Sequence, residues 1–477
     1  MPSRVYTIET RLNKASDLVI YLESIIPNYS SMKRKMFHWY TNDDFMVQFE
    51  KDSQFVSYCA TYFNTHSRII NSALREIKGL IRAYLELKKV ELKNLKAKIQ
   101  STECYIVSLI QKINGLKPKV TANKATQREL SRYRAWKSSL YYRKNKLNKF
   151  NNGLRNLQYV IDNKIVDICF GTRNIFDRQY RLFENRYHNH AAWFSDFKKN
   201  RDKVIFISGS KSERNGNMIS NIFYNPDGDS FYLILRKFDM GSGKHPSFGN
   251  SDTYIKCDNI DFKYMKNVLK DVVIRNNLGI STQAISFRFI KRSKKWYIQL
   301  MFEQKFDTVE YLTKSDFGTI GLDYNNGFIQ LAETDRFGNL INLKRYDLVY
   351  HGTGNKAKTE IEQVIHSIVM YAKNARKDIV IEDLDFSKSK ASITKSSNKF
   401  NRRYNRMIHA FDYSRYMSKI SDICFNNMVC LHTINPTNTS KIGKQKYSDI
   451  MKLTVHQSAA YVIARKQQGF VDRLKTV

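Results

Sequence analysis

The chain has 477 residues, of which 42% are hydrophobic, so it is long enough for several domains with cores and is not a disordered basic tail. Lys and Arg number 80 against 44 Asp and Glu, and a net charge of +36 predicts a surface that binds a polyanion. No apolar run approaches about 18 residues, and the N-terminus does not read as a signal peptide. Nucleic acid is therefore the expected polyanion rather than membrane lipid, with a merely basic soluble protein as the alternative.

The cysteines are scattered along the chain and form no CxxC pair. This pattern argues against a zinc ribbon and against a disulfide framework, so no zinc is expected. Reduced, buried thiols in a cytoplasmic protein are the simplest interpretation. The positions are Cys59, Cys104, Cys169, Cys257, Cys424 and Cys430.

The N-terminal third is predicted to be one strand followed by helices. Residues 5–12 alternate and are rich in β-branched side chains, which is typical of a strand. Residues from about 15 to 80 lack that alternation and are expected to be mainly helical.

Two heptad seams then predict a long helical hairpin over about residues 80–163. The stretch from Asn114 to Pro118 is expected to end the first helix, and each arm should be about 50 Å long. Basic residues including Arg143 and Lys144 crowd the second arm, so this face either contacts nucleic acid or is a solvated coiled-coil surface. The seam positions are Leu85, Leu92, Ile99, Ile106 and Ile113, then Tyr133, Leu140, Leu147, Leu154 and Ile161.

From about residue 200 the periodicity changes to two, which predicts a small antiparallel barrel or sandwich. Residues 5–12 are expected to be its first strand, which makes the helical region an insertion. A basic turn at 291–295 is a candidate for nucleic-acid contacts, with Trp296 equally expected to be core. The expected strands are 204–207, 218–224, 231–235, 285–290 and 296–303, and the candidate contact residues are Lys291, Arg292, Lys294, Lys295 and Trp296.

The last third is predicted to be an α/β layer. Its expected strands end at Asp323, begin at Phe328, begin again at Leu340, and cover 379–384 and 428–434; its expected helices are 356–373, 404–427 and 454–467.

Two acids at predicted strand ends, Asp323 and Glu382, are the candidate catalytic residues. Adjacent strands of an α/β sheet can bring such positions together, and close carboxylates repel unless cations neutralise them. Mg²⁺ prefers oxygen ligands, and a pair of such ions can activate water for phosphodiester cleavage. Taken singly, each acid is more often a cap or turn former.

These motifs resemble those of the TnpB proteins encoded by insertion sequences. IGLDYNNGFIQLAETDRFGNL is similar to their first RuvC motif, and IVIEDLDFSKSK to their second. NPTNTSKIG, followed by Lys446 and Tyr447, resembles the segment before the third motif, and VHQSAAYVIARKQQGF resembles that motif. The likeness is strong over about 316–470 and weaker before it, where only short fragments such as CFGTR match.

The resemblance implies a multidomain α+β protein related to the type V CRISPR effectors. Its expected parts are the first strand of a wedge-like β-barrel (1–14), an inserted helical recognition lobe (15–170), the rest of the barrel (171–312) and a RuvC-like nuclease domain of ribonuclease H fold (313–477). The implied activity is guide-RNA-directed cleavage of double-stranded DNA beside a short flanking motif, with two Mg²⁺ ions as cofactors. No membrane partner is expected. The implied location is the bacterial cytoplasm, associated with the nucleoid.

The chain departs from the family pattern at two places. Most members carry a four-cysteine zinc ribbon between the second and third motifs, whereas Cys424 and Cys430 have the wrong spacing and no second pair. The third motif normally offers an Asp three residues before a pair of small residues; here His456 precedes Ala459 and Ala460 by that spacing. A neutral imidazole can bind a metal, so His456 joins Asp323 and Glu382 as a candidate ligand, with a bystander role as the alternative.

Three functions follow from these observations. The first is an active RNA-guided endonuclease encoded by a transposable element. The second is a guide-directed DNA-binding protein without nuclease activity, acting as a repressor. The third is a transposase or accessory factor that uses no guide. Lys441, Lys444 and Lys446 beside the third motif are further candidates for nucleic-acid contacts.

Overall fold

The computed structural model describes residues 3–238, 254–280, 282–305, 310–325, 327–348, 355–383 and 413–472. The chain divides into two compact units, Met1–Val90 with Asn156–Asp307 and Glu91–Arg155 with Thr308–Val477. Among the described helices, none has both the length and the apolar character needed to span a membrane.

The N-terminal half is mostly helical between its first two strands. The first strand is β1 (Ser3–Arg11). The helices are α1 (Asp17–Tyr40), α2 (Asp43–Met46), α3 (Asp52–Tyr62), α4 (Ser67–Thr121), α5 (Gln127–Asp162), α6 (Arg173–Asp177) and α7 (His190–Arg201), with a 3₁₀ turn at Arg178–Arg181. The sequence pattern did not predict α6 and α7.

The two long helices α4 and α5 form the predicted hairpin, but the stop signal was wrong. The first arm continues through Gly115 and Pro118 to Thr121. Pro118 lies in the last turn of the helix. Because proline has no backbone N–H, the helix lacks one hydrogen bond there, and this loss falls near its end, where few further bonds are affected. The cation–π contact of Arg143 with the ring of Tyr105, 4.7 Å from its centroid, joins the two arms.

The β-strands of this half pair as two antiparallel sheets. One has the order β1-β7-β6-β2 and the other β3-β4-β5. Because β1 pairs along its length with β7, the helices are inserted into the sheet, as the sequence pattern predicts. The pairing of the described strands does not close into the expected barrel. The strands are β2 (Val204–Ile207), β3 (Ser220–Asn225), β4 (Ser230–Arg236), β5 (Tyr254–Ile260), β6 (Ile285–Arg292) and β7 (Lys295–Lys305).

Two features of this half were not predicted. Strand β5 and helix α8 (Lys266–Asn277) lie in a region for which the sequence analysis assigned no element. The predicted basic turn is also shorter than expected, since only Ser293 and Lys294 adopt left-handed backbone conformations between β6 and β7. A 3₁₀ turn covers Arg214–Gly216.

The C-terminal sheet has the order β10-β9-β8-β11-β12. β8 pairs antiparallel with β9 and parallel with β11, which pairs parallel with β12. This is the predicted α/β layer; the part of the expected 404–427 helix before Tyr413 lies outside the described residues. The elements are β8 (Thr319–Asn325), β9 (Phe328–Thr334), β10 (Leu340–Asp347), α9 (Asn355–Ala375), β11 (Asp378–Glu382), α10 (Tyr413–Asn426), β12 (Leu431–Ile434), α11 (Thr439–Gly443) and α12 (Val455–Gln467), with a 3₁₀ turn at Ser315–Phe317 and a π-helical turn at Lys444–Ser448.

The core of this sheet fixes the strands that carry the candidate acids. All residues of β11 and nearly all of β8 are buried, as expected for central parallel strands covered on both faces. Ile320 and Ile379 pack with Ile365 of α9 and Ile420 of α10 on one face. On the other face, Val380 packs with Ile463 of α12. The strand ends are thus held by packing on both faces of the sheet.

Candidate active site

Asp323 and Glu382 lie side by side at one edge of the C-terminal sheet. Ile381 of β11 is paired in parallel with Leu322 of β8, so the next residue of each strand is the candidate acid. Neighbouring strands are separated by about 4.8 Å, and β8 and β11 run in the same direction. Each acid is only 9% exposed. The parallel register therefore places two buried carboxylates together at the carboxyl ends of adjacent strands.

The two carboxylates interact electrostatically. Burial raises the pKa of the Glu382 carboxyl above its ordinary value, and the neighbouring Asp323 carboxylate raises it further. The hydroxyl of Thr439 donates to Oε1 of Glu382, and this bond together with Lys466 acts in the opposite direction. Glu382 is thus a buried carboxyl with a second carboxylate as neighbour and with Thr439 and Lys466 as its favourable partners.

Two side chains hold Asp323 through a single oxygen. Nδ2 of Asn325 donates to Oδ2 of Asp323 over 2.8 Å, and Nδ1 of His456 donates to the same atom over 3.0 Å. The bond to Asp323 raises the pKa of His456 above its ordinary value. Because both bonds end on Oδ2, Asp323 could bind a cation through Oδ1 without breaking either bond.

His456 is positioned by the start of α12. Thr454 caps this helix and forms a reciprocal capping box with Gln457, which fixes the first turn where His456 lies. The positive end of the helix dipole is also in this turn and favours a nearby carboxylate such as Asp323.

Close packing of α12 on β8 sets its distance from the acids. A Cβ on Gly321 would lie 2.2 Å from the carbonyl oxygen of Ala460 and 2.6 Å from the backbone nitrogen of Ala464. Only glycine fits the strand at this point, and small residues on the helix allow the approach. Ala460 and Ala464 therefore pack their backbone directly on this strand.

The short helix α11 supplies the hydroxyl that holds Glu382. Its residue Thr439 is 2% exposed and lies at the helix start. At the other end, a Cβ on Gly443 would lie 2.8 Å from the carbonyl carbon of Ser458, so α11 packs tightly against α12. The same helix α12 therefore supports both the His456 side and the Glu382 side of the site.

An aromatic ring and a cation border the exposed side of His456. The ring of Phe328 meets the imidazole edge-on, with centroids 5.1 Å apart. The Arg345 guanidinium stacks over Phe328 at 3.9 Å and lowers the pKa of His456 against the larger effect of Asp323. The His456 side chain is 48% exposed, whereas Asp323 is largely covered. Substrate could therefore approach from the His456 side.

The donor set fits a hard divalent cation. Two carboxylates and an imidazole are acceptable ligands of Mg²⁺, which usually takes one or two carboxylates and keeps several waters. Burial and, less strongly, the Asp323 carboxylate raise the pKa of Glu382, and a bound cation would favour the charged form of both acids. Among the described residues, Asp323 and Glu382 are the adjacent carboxylates that could hold such an ion, and His456 contacts this pair through Asp323.

Three of the residues predicted to contact nucleic acid are buried or ion-paired in the structure. Trp296 is 2% exposed and donates to Oε1 of Glu23, so it belongs to the core and cannot stack on a base. Arg292 is paired bidentately with Glu9, and Lys291 with Glu23. The cationic groups of Arg292 and Lys291 are thus already paired with carboxylates and would have to leave them to bind a phosphate.

The other predicted contact residues remain accessible. Lys294 and Lys295 are exposed at the β6–β7 hairpin, and Lys144 is exposed on α5. Lys441 and Lys444 are exposed beside α11, whereas Lys446 is paired with Asp472 at 3.2 Å. Nucleic-acid binding by these accessible lysines remains a prediction.

Sequence reasoning missed three residues of the site: Asn325, Thr439 and Lys466. Asn325 follows Asp323 by two residues, and Thr439 lies inside the NPTNTSKIG segment already noted as a motif. A polar residue two positions beyond a strand-end acid was a usable signal for Asn325. Nothing local in the sequence distinguishes Thr439 or Lys466, since their roles depend on tertiary contacts.

No family model and no curated protein matches the chain. Its structural neighbours include a RuvC protein and Cas12i proteins. Thermus thermophilus RuvC in complex with a Holliday junction substrate matches at 13% identity and a TM-score of 0.23, covering 33% of this chain and 98% of RuvC. A Cas12i–crRNA–dsDNA complex matches at 8% identity and a TM-score of 0.24, covering 81% of this chain and 60% of that chain. The Cas12i1 R-loop complex after target DNA cleavage matches at 10% identity and 0.24, covering 87% and 58%.

These values identify no residue and no activity of this chain. The chain spans about three fifths of the length of these Cas12i chains.

Proposed function

We propose that this protein is an RNA-guided DNA endonuclease of the TnpB type that cuts target DNA at a single metal-dependent site. The observation that carries the nuclease assignment is the pairing of β8 with β11, which puts Asp323 next to Glu382 within reach of His456. Two adjacent buried carboxylates favour a cation-dependent reaction on an anionic substrate. The net charge of +36 supports a polyanionic substrate.

In this proposal, residues of the chain would bind the metal ion and fix the orientation of the two acids. Mg²⁺ bound by Asp323, Glu382 and His456 would supply an activated water and stabilise the leaving oxygen of a phosphodiester. Asn325 fixes the Oδ2 side of Asp323, and Thr439 fixes Oε1 of Glu382. These bonds restrict the rotamers of both acids before substrate binds, which lowers the reorganisation needed for reaction.

The guide-dependent part of the proposal rests on the motif resemblance and on the architecture. The helical region, including the long basic hairpin, is inserted between strands of one sheet, which agrees with the order of parts that the resemblance implies. In such a protein, base pairing with the guide RNA would read the target sequence and the protein would read the backbone and a flanking motif.

The test begins with RNA that co-purifies with the protein. Sequencing that RNA identifies the guide, and DNA libraries matched to the guide are then incubated with wild type, Asp323→Ala and Glu382→Ala in the presence of Mg²⁺. We expect cleavage of matched DNA by wild type alone and DNA binding by all three proteins. Cutting by Asp323→Ala at the wild-type rate would contradict the site assignment.

A guide-directed binding protein without nuclease activity is the second candidate. His456, in place of the Asp usual in this family, is the observation that favours it. Guide-dependent binding of matched DNA without cleavage by wild type would support this alternative. Absence of any discrete bound RNA would exclude both and favour a factor that uses no guide.

A further inference from the structure

A second cluster of potential metal ligands lies in the C-terminal sheet, at the end of the strands opposite to the candidate active site. Asp378 begins β11, Cys430 precedes β12 and His432 is its second residue. One ligand atom from each lies within 4.8 Å of the other two. Asp378 and Glu382 are four residues apart on one strand, so this cluster is about 13 Å from the candidate active site.

The three side chains converge on one point. Nε2 of His432 is 2.9 Å from Oδ2 of Asp378 and 3.5 Å from Sγ of Cys430. A tetrahedral zinc ion about 2.0–2.3 Å from its ligands needs ligand atoms roughly 3.3–3.8 Å apart. The observed spacing is close to that requirement, and small side-chain rotations would meet it.

The same geometry argues against a catalytic cysteine. A nucleophile–base–acid triad uses both ring nitrogens of the histidine, one for the nucleophile and one for the carboxylate. Here the thiol and the carboxylate both face Nε2. One N–H cannot donate well to both groups, whereas one cation can bind all three.

Asp378 carries an independent sign that its hydrogen bonding is incomplete. Oδ2 accepts from Ser315 over 2.7 Å, but Oδ1 is buried and accepts no hydrogen bond of acceptable geometry from the described residues, although the hydroxyl of Thr313 lies nearby. The residue is 4% exposed. A buried carboxylate oxygen without a donor is costly unless a cation or a further donor satisfies it.

We propose that Asp378, Cys430 and His432 form a binding site for a borderline-soft divalent cation such as Zn²⁺, separate from the candidate active site. One oxygen, one sulfur and one nitrogen suit zinc better than Mg²⁺, which prefers oxygen alone. The ion would link the start of β11 to the start of β12, and the 29% exposed side of His432 leaves room for a water as fourth ligand.

The test measures binding of Zn²⁺ and Co²⁺ to the full-length protein under reducing conditions. We expect one equivalent of Zn²⁺ per chain by equilibrium dialysis and, with Co²⁺, a near-ultraviolet thiolate-to-metal absorption band. Cys430→Ser should lose the band, and His432→Gln should weaken Zn²⁺ binding by about 100-fold, since loss of even an outer partner costs roughly 10–100-fold.

Two variants serve as matched controls. Cys104→Ser removes an exposed thiol of α4 and should leave binding unchanged. Asp323→Ala disables the candidate active site and should also keep the cobalt band, which separates failure of this proposal from failure of the nuclease assignment. If Cys430→Ser does not fold by circular dichroism, His432→Gln decides alone, because its side chain is partly exposed. No stoichiometric binding by wild type, or an unchanged band in Cys430→Ser, would leave the cluster as a hydrogen-bonded ion pair and overturn the proposal.

Discussion

The two ends of strand β11 carry carboxylates in opposite electrostatic settings. At its carboxyl end, Glu382 lies next to a second carboxylate, and its pKa is raised by burial and by Asp323. At its amino end, Asp378 faces His432; burial raises the pKa of Asp378, but hydrogen bonds from His432 and Ser315 outweigh it and the pKa is lowered. Glu382 thus has a second carboxylate as its strand neighbour, whereas Asp378 has an imidazole as its partner.

Under the proposed function, this difference separates a site for chemistry from one that holds strands together. Unbalanced buried charge costs stability and persists where a function requires it. A balanced buried pair costs less, and removal of one partner leaves the other uncompensated. Substitutions at the two ends should therefore have opposite effects on stability and on cleavage.

The largest effect is expected for Asp323→Asn. Cleavage of guide-matched DNA should fall by about 1,000-fold or more because one of two metal-binding carboxylates is gone. In the presence of a chelator, the free energy of unfolding should stay the same or rise, since the repulsion with Glu382 is removed. Cleavage assays and urea denaturation of the same preparation measure both quantities. A clear loss of stability would mean that Asp323 is held by more attraction than repulsion.

The next effect concerns His456. Replacement by Ala should lower the cleavage rate by about 10- to 100-fold, while His456→Asp should keep substantial activity because an anionic oxygen suits a hard ion. Single-turnover rates under saturating guide and DNA measure the difference. Equal rates for His456→Ala and wild type would make the active site a two-acid site in which His456 has no part.

At the other end of β11, Asp378→Asn should reverse the pattern seen for Asp323→Asn. The imidazolium of His432 loses its partner, so the free energy of unfolding should fall by about 2 kcal/mol, somewhat less than for a fully buried pair because His432 is partly exposed. Cleavage of matched DNA should be retained below the melting temperature. Urea titrations in chelator measure the stability, with Ser315→Ala as a milder control that removes one hydrogen bond. A loss of cleavage equal to that of Asp323→Asn would contradict the separation of the two ends.

The smallest effect tests a second balanced carboxylate, Asp472. Burial raises its pKa, but hydrogen bonds from Tyr447, Arg465 and Lys446 outweigh this effect, so its pKa is lowered in the folded state. Its stabilising contribution is thus present above the ordinary Asp pKa of about 3.9 and is lost as pH falls through the lower folded value.

The variant Asp472→Asn should therefore be less stable than wild type by about 1 kcal/mol at neutral pH, with the gap closing in acid. Urea midpoints of both proteins between neutral and acidic pH measure this difference. A gap that stays constant down to the lowest accessible pH would mean that the charge of Asp472 contributes nothing.

The sequence by itself determined much of the strand and helix pattern and the candidate catalytic residues. Alternation over residues 5–12, the heptads of α4 and α5, and the apolar run of β11 are local signals, because each reflects which face of one element is buried. Asp323 and Glu382 were found because acids at strand ends are visible without knowing which strands are neighbours. His456 was found from the resemblance of its segment to the third TnpB motif, in which an Asp usually stands three residues before a pair of small residues.

Only the tertiary structure decided how these residues meet and which neighbours they have. The parallel register of β8 and β11, the contact of Gly321 with α12, and the hydrogen bonds from Asn325 and Thr439 depend on residues far apart in the chain. Trp296 is excluded from the candidate nucleic-acid contacts because tertiary packing buries it. Asp378, Cys430 and His432 give no motif because β11 and β12 pair across a long connection. Side-chain environments arise from packing between elements, and periodicity within one element does not encode that packing.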